Sequence, residues 1–260
     1  MRKRPNFVGG IALLALIAIG GPAYALTISQ SGTNPNGGTA LSAQVDFIVS
    51  GSQLIVTLTN TATSDVMRPS DVLTALFFDA GDFVFAPVSA VISTSNLDGD
   101  PATVFHGDTD PGGVVGGEWD YDTGLSVYGL TGMSGISSSG FSLFGNPAFP
   151  GSNLQGPLAV DGLQYGITSL GDDPDTGNDA VNGQFALIWN AVVFTFDITG
   201  EAFDPELIGN VIFQYGTDLY EPFLPSDNTV IPAVPEPASL ALLGLGLGAL
   251  VASRMRQKMV

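Results

Sequence analysis

The chain contains no cysteine. Thiol catalysis, cysteine-ligated zinc and redox chemistry of the chain itself are therefore excluded, and no disulfide can staple the fold. Histidine is nearly as scarce. His106 is the only one, so a histidine-rich metal site cannot be built and a Ser-His-Asp triad would have to use it. It lies in a Gly/Asp turn, and Ser134, within Gly132-Met-Ser-Gly135, lacks the full nucleophile-elbow pattern. Between Lys3 and Lys258 there is no lysine to act as a base or Schiff-base former. Basic residues number 7 against 25 acidic ones, for a formal net charge of -18. Every acidic residue falls between Asp46 and Glu236, whereas the basic residues sit in the two end segments, Arg68 excepted. A body this acidic repels nucleic-acid phosphates and anionic lipid, stays soluble and attracts cations.

What the chain does have begins at its two apolar ends. Arg2, Lys3 and Arg4 precede an apolar run over 7–19, followed by Gly20-Gly-Pro-Ala-Tyr-Ala25. A charged start, an apolar segment of this length and an A-x-A site at Ala23 and Ala25 predict a signal peptide over 1–25. Passage through the secretion translocon and cleavage by signal peptidase would leave a mature chain starting at Leu26. At the other end, Val234-Pro-Glu-Pro237 leads into an uncharged Leu/Ala/Gly-rich stretch over 238–253, then Arg254, Arg256 and Lys258. At about 1.5 Å per residue such a helix covers roughly 24 Å, a short span of the ~30 Å hydrocarbon core that local thinning and snorkelling can accommodate. The basic cluster places the C-terminus on the cytoplasmic side. Pro235 and Pro237 cannot enter a regular helix interior, so Glu236 is held in extended backbone at the outer membrane face.

These three parts in this order closely resemble the PEP-CTERM sorting signal of bacterial exosortase substrates, over about a tenth of the chain. The resemblance implies recognition of Val234, Pro235, Glu236 and Pro237 by a membrane-embedded, cysteine-dependent exosortase. That enzyme would remove the helix and release the body or transfer it to the cell surface, with this chain as substrate rather than catalyst. Two internal pieces, 163–173 and 213–222, are also similar to segments of other exosortase-dependent surface proteins and imply no activity.

The body between the ends, 26–228, reads as β structure, with 229–260 as the sorting signal. Runs at 45–49 and 54–59, the second strictly alternating, flank a turn at 50–53 and predict a hairpin. Further strand-like runs occur at 72–78, 83–92, 163–169, 185–196 and 211–215, with 191–198 the most strand-like. Asn182-Gly183 is a predicted turn, and Pro87 predicts an edge strand or a bulge. The stretch 26–40 reads as a mobile lead-in. Residues 129–157, rich in Gly, Ser and Pro, read as a surface excursion or a weak boundary between two halves. The glycine-rich segment 112–117 matches no phosphate-binding loop. Many short strands with Gly/Pro/Asp/Asn turns predict an all-β fold, a β-sandwich of jelly-roll-like form, between a signal peptide and a single transmembrane helix.

Within Glu118-Trp-Asp-Tyr-Asp122, extended backbone would put three carboxylates on one face and two aromatics on the other. That pattern suits a cation or sugar platform, or a plain strand with its aromatics in the core and its acids in water. Asp173, Asp175 and Asp179 lie in an acidic turn with oxygen ligands at alternate positions, a candidate calcium site without EF-hand spacing. The acidic turn at 96–100 is similar. Ordinary Asx turns also explain both. The expectation is a non-enzymatic exported protein, first anchored in the inner membrane, then structural or adhesive at the cell surface or in an exopolysaccharide matrix or biofilm. A calcium-dependent carbohydrate-binding module is the alternative, a secreted glycosidase a lesser one.

Overall fold

Along residues 40–50 every second side chain is apolar, and Leu41, Ala43, Val45, Phe47 and Val49 are all buried while their neighbours are not. Period-two alternation of this kind produces a strand with one face in the core. Leu54, Val56 and Leu58 repeat the pattern after a tight turn at Gly51 and Ser52, and Ser50 pairs with Gln53 to close the expected hairpin. Fully burying each large apolar side chain in this row stabilises by about 1.5–3 kcal/mol.

The computed structural model describes residues 24–94, 102–160 and 162–227. The predicted signal peptide up to Ala23, the acidic turn at 96–100 and the sorting segment 229–260 lie outside the described residues. In chain order the strands are β1 (Tyr24–Thr33), β2 (Ala40–Ser50), β3 (Gln53–Asn60), β4 (Leu73–Asp79), β5 (Phe85–Ile92), β6 (Thr103–Phe105), β7 (Asp120–Val127), β8 (Leu130–Ser137), β9 (Ile167–Thr168), β10 (Leu187–Trp189), β11 (Ala191–Ile198), β12 (Gly209–Tyr215) and β13 (Phe223–Pro225). Among the described residues there is no α-helix, and no helix long and apolar enough to cross a membrane.

The strands form two open sheets. One has the order β1-β2-β3-β11-β5; the other runs β13-β12-β4-β9-β10-β6, with the β7–β8 hairpin joined to it at β4. Inward side chains of both sheets share one core, in which Phe47 of the first meets Phe78 of the second at 5.3 Å between ring centres. This is the arrangement of a β-sandwich. The turn at 79–82 therefore carries the chain from one sheet to the other instead of closing a hairpin. Pro87 sits on the edge strand β5, where the pairing with β11 also shifts register between Thr195 and Phe196, so both of its expected accommodations occur together.

Three expectations are overturned. Residues 26–33 are not a lead-in but most of β1, paired along its whole length with β2. Leu26 and Ile28 pack on the core, while Thr27 bonds Asp46 and Ser29 bonds Gln44 across the outer face. An edge strand with one half-covered face needs few apolar residues, which is why its composition reads as loop. Likewise 130–137 is a strand, β8, buried from Met133 onward and hydrogen-bonded to both β4 and β7. Its small residues are required by close packing. A Cβ on Gly135 would lie 2.7 Å from Leu125 Cδ1, 2.8 Å from Phe144 Cζ and 3.0 Å from Phe77 Cδ1. Nor is 129–157 a boundary between halves, because β11 inserts between β3 and β5 and β12 pairs with β4.

The remainder of that segment has a structural duty. Phe144 and Val160 pack with Phe77, Leu125, Val127, Met133 and Ile212 in a second cluster on the outer face of the β4 sheet. With one face on the shared core and the other under this cover, β4 is buried almost throughout, and its sequence is accordingly a continuous apolar run rather than an alternating one. The glycines of 112–117 divide their work. Gly112 and Gly113 adopt positive φ in a turn, whereas Gly116 and Gly117 let the backbone of Pro150 and Ser152 approach where no Cβ would fit.

Candidate functional site

The 118–122 segment resolves its two readings into a third. Trp119 and Tyr121 do enter the core, edge-on to Phe194 at 5.0 Å and Phe196 at 4.8 Å. Two of the three acids, however, are not in water: Glu118 is 3% exposed and Asp120 7%, and of the three only Asp122 faces solvent. The expectation of solvated carboxylates is corrected accordingly. Glu118 Oε1 accepts the backbone N–H groups of Leu154 and Gln155, the latter at 2.9 Å. Asp120 accepts from Gly145 N at 2.9 Å and from Tyr121 N at 2.8 Å. Buried carboxylates are tolerable because charge-assisted bonds to backbone N–H replace their water. Burial still pushes the Asp120 carboxyl up, against the Gly145 and Tyr121 bonds that pull it down, with the Asp122 charge adding to the rise. Together Glu118 and Asp120 pin the 139–160 cover to the sheet beneath it.

The acidic turn at 172–179 is built on Asp65. That carboxylate accepts from Asp173 N at 3.0 Å and from the Thr176 hydroxyl at 2.6 Å. Burial opposes ionisation of Asp65, but these bonds outweigh it and hold the group below its ordinary value. Asp173 Oδ1 accepts from Asp175 N at 3.1 Å, an Asx turn, while Asp175 and Asp179 are exposed. Among the described residues, no group of three or more His, Asp or Glu side chains is disposed to hold a metal ion.

Asp172 is the perturbed group of this loop. Its Oδ1 accepts from Val66 N at 3.2 Å, and its Oδ2 is enclosed without a partner. Burial raises its pKa to about 6, the Thr168 and Val66 contacts oppose the rise, and the neighbouring Asp65 charge adds to it. A carboxyl raised in the folded state binds its proton more tightly there than in the unfolded chain. Its contribution to stability therefore falls as pH rises from about 4 to 6, and the full penalty applies above 6. A rise of this size corresponds to about 3 kcal/mol, which partial solvent access reduces to about 1 kcal/mol. Asp172→Asn is expected to raise the melting temperature at pH 7.5 and to change it little at pH 3.5. Equal shifts at both pH values would refute this.

The residues that enzyme chemistry would need are dispersed. His106 is exposed, with Nε2 3.3 Å from the Pro174 carbonyl oxygen. Ser134 is buried in β8 opposite Phe78. The two internal pieces with a shared Gln-Tyr-Gly flank one place, the start of β4. Tyr215 pairs with Leu73 on one side and Ile167 pairs with it on the other. Gly216 N donates to the Val72 carbonyl, and a Cβ on Gly166 would lie 2.6 Å from Val72 Cγ1. Sequence alone identified the pieces but not this common contact.

Both termini of the body sit on strands. Tyr24 and Ala25 begin β1, paired with Val49 and Ile48 and exposed, so cleavage after Ala25 would trim two outer residues and leave Leu26–Thr33 in the sheet. At the other end β13 pairs with β12, and Ser226 N donates to the Val211 carbonyl just before the described residues end. Val234, Pro235, Glu236, Pro237, Arg254, Arg256 and Lys258 follow beyond that point. No curated protein matches the chain. Residues 233–257 match the PEP-CTERM protein-sorting motif, which contains all of the predicted recognition residues and two of the three basic ones, Arg254 and Arg256. That motif, following an all-β body, supports a PEP-CTERM sorting-domain protein, exported and directed to the cell surface through exosortase-dependent processing.

Proposed function

We propose that the body is a non-enzymatic surface or matrix component, structural or adhesive within an exopolysaccharide layer, displayed on a β-sandwich of jelly-roll-like general form. The observation that carries this reading is the position of the sorting motif, which begins at residue 233, shortly after the last strand of an acidic sandwich. In this reading signal peptidase and the secretion translocon deliver the chain, the 238–253 helix anchors the precursor in the inner membrane, and exosortase then removes it. The arrangement of the acids favours it over an enzyme. Glu118, Asp120 and Asp65 accept hydrogen bonds from loop backbone, the work of carboxylates that hold loops in place. Calcium has no required part here. The charge of -18 supplies solubility and keeps nucleic acid away.

The test is the intact mass of the protein recovered from membrane, surface and medium fractions. A species starting at Leu26 and ending near Pro237, outside the membrane, is the expected result, and any added mass identifies what the body is joined to. A species running from Leu26 to Val260 and confined to membranes would overturn it.

A further inference from the structure

Tyr220 is 98% exposed, yet its backbone is tightly held. Its N–H donates to Asp218 Oδ1 at 2.8 Å, and Glu221 Oε2 accepts from Thr217 N at 2.5 Å and Asp218 N at 3.1 Å. From beneath, Gln214 Nε2 donates to the Asp218 carbonyl at 3.1 Å and the Tyr128 hydroxyl to the Leu219 carbonyl at 3.1 Å. The same Tyr128 proton is shared with Gln214 Oε1, and the ring stacks on Phe223 at 4.0 Å between ring centres. The loop is thus ordered before any ligand arrives, which lowers the entropic cost of binding. An aromatic ring held wholly in water on such a loop contributes nothing to folding.

Tyr220 lines the rim of a cleft of about 490 Å³ together with Ser139, Phe141, Ser142, Thr217 and Asp218. The opposite wall is strained. Phe141 and Ser142 are consecutive non-glycine residues at φ 47° and 60°, in the left-handed region that concentrates at ligand clamps. Ser142, Thr217 and Asp218 are exposed and offer hydroxyls and a carboxylate along the rim. No cation is available to the cleft from the described residues, since Arg68, their one basic side chain with a permanent charge, is bound to the Asn36 carbonyl at 2.6 Å in another loop. Phosphate, sulfate and uronate ligands are repelled.

An aromatic face, neutral and anionic acceptors at its side and no cation together match a flat ring with apolar C–H groups on its face and hydroxyls on its edge. We propose that this cleft binds a neutral pyranose unit of a polysaccharide, with Tyr220 stacked on the sugar face and Asp218, Ser142 and Thr217 taking its hydroxyls. The proposal rests on the adhesive reading above and supplies its ligand class.

The processed protein is co-sedimented with insoluble neutral glucan and chitin and with an acidic gel of calcium alginate, and titrated with soluble oligosaccharides and the corresponding monosaccharides. Retention on a neutral polymer is expected, with Tyr220→Ala weakening it about tenfold or more and Tyr220→Phe preserving it. Melting temperature is expected to be unchanged in both variants because the ring is exposed. No retention on any neutral polymer, preference for the acidic gel, binding of monosaccharide alone, or Tyr220→Ala binding like the parent would each overturn the proposal. Glycan binding through Tyr220 by a chain that keeps its tail would leave this proposal standing and remove the processing reading. Processed surface protein that ignores neutral glycans would do the reverse.

Discussion

Cells making the chain with Pro235, Glu236 and Pro237 all changed to alanine are expected to retain it in the membrane with residues 238–260 still attached. Proline is excluded from a regular helix interior, so alanine at 235 and 237 removes the sequence's own bar to helical backbone at Glu236. Loss of both the charge and the extended geometry is expected to reduce the processed form on the order of tenfold or more, as when a site built for a polar group meets a ligand lacking it. Glu236→Gln separates the two contributions, since it removes the charge and keeps the prolines. The readout is intact mass in membrane and surface fractions, and an unchanged mature mass in the triple variant would refute the assignment of the motif. Folding of the body is expected to be unaffected, because every strand of the described sandwich, through β13, lies before the motif.

The second large effect is expected inside the body, at Glu118. Glu118→Ala removes the acceptor for the backbone N–H groups of Leu154 and Gln155 at a site only 3% exposed. Leaving both donors without a partner costs about 2–6 kcal/mol, given roughly 1–3 kcal/mol for each unsatisfied buried group. Glu118→Gln keeps an acceptor oxygen but not its charge, and about 1–2 kcal/mol is expected. Denaturant melts measure the totals. Amide exchange locates the damage: protection is expected to fall across 139–160 while the β2–β3 hairpin keeps its own. Uniform loss over the whole body, or no loss at all, would show that Glu118 does not pin this cover.

Where alternation or a turn signal is strong, the fold is legible in the residues themselves. The hairpin of 45–59, the strand over 191–198 and an edge or bulge at Pro87 all follow from residues a few positions apart. Where a strand is stabilised by what covers it, composition misleads. β1 looks like a linker because an edge strand needs only Leu26 and Ile28 against the core. β8 looks like a loop because Gly135 is small in order to fit under Phe77 and Phe144. Glu118 and Asp120 look like solvated or ligating acids because, apart from Tyr121 N, the backbone N–H groups that occupy them come from residues 25 to 37 positions away.

Sequence by itself determined where this protein goes. The meaning of the sorting motif lies in local order: a Pro-Glu-Pro, an apolar span and a basic end. It also determined the all-β class, since period-two patterns and turn residues act over short range. Tertiary structure alone decided which carboxylates are buried as backbone acceptors, which small residues are packing requirements, and that Tyr220 lines the rim of a cleft together with Ser142 and Asp218. Those are contacts between segments distant in the chain, and no local pattern encodes which segments will meet.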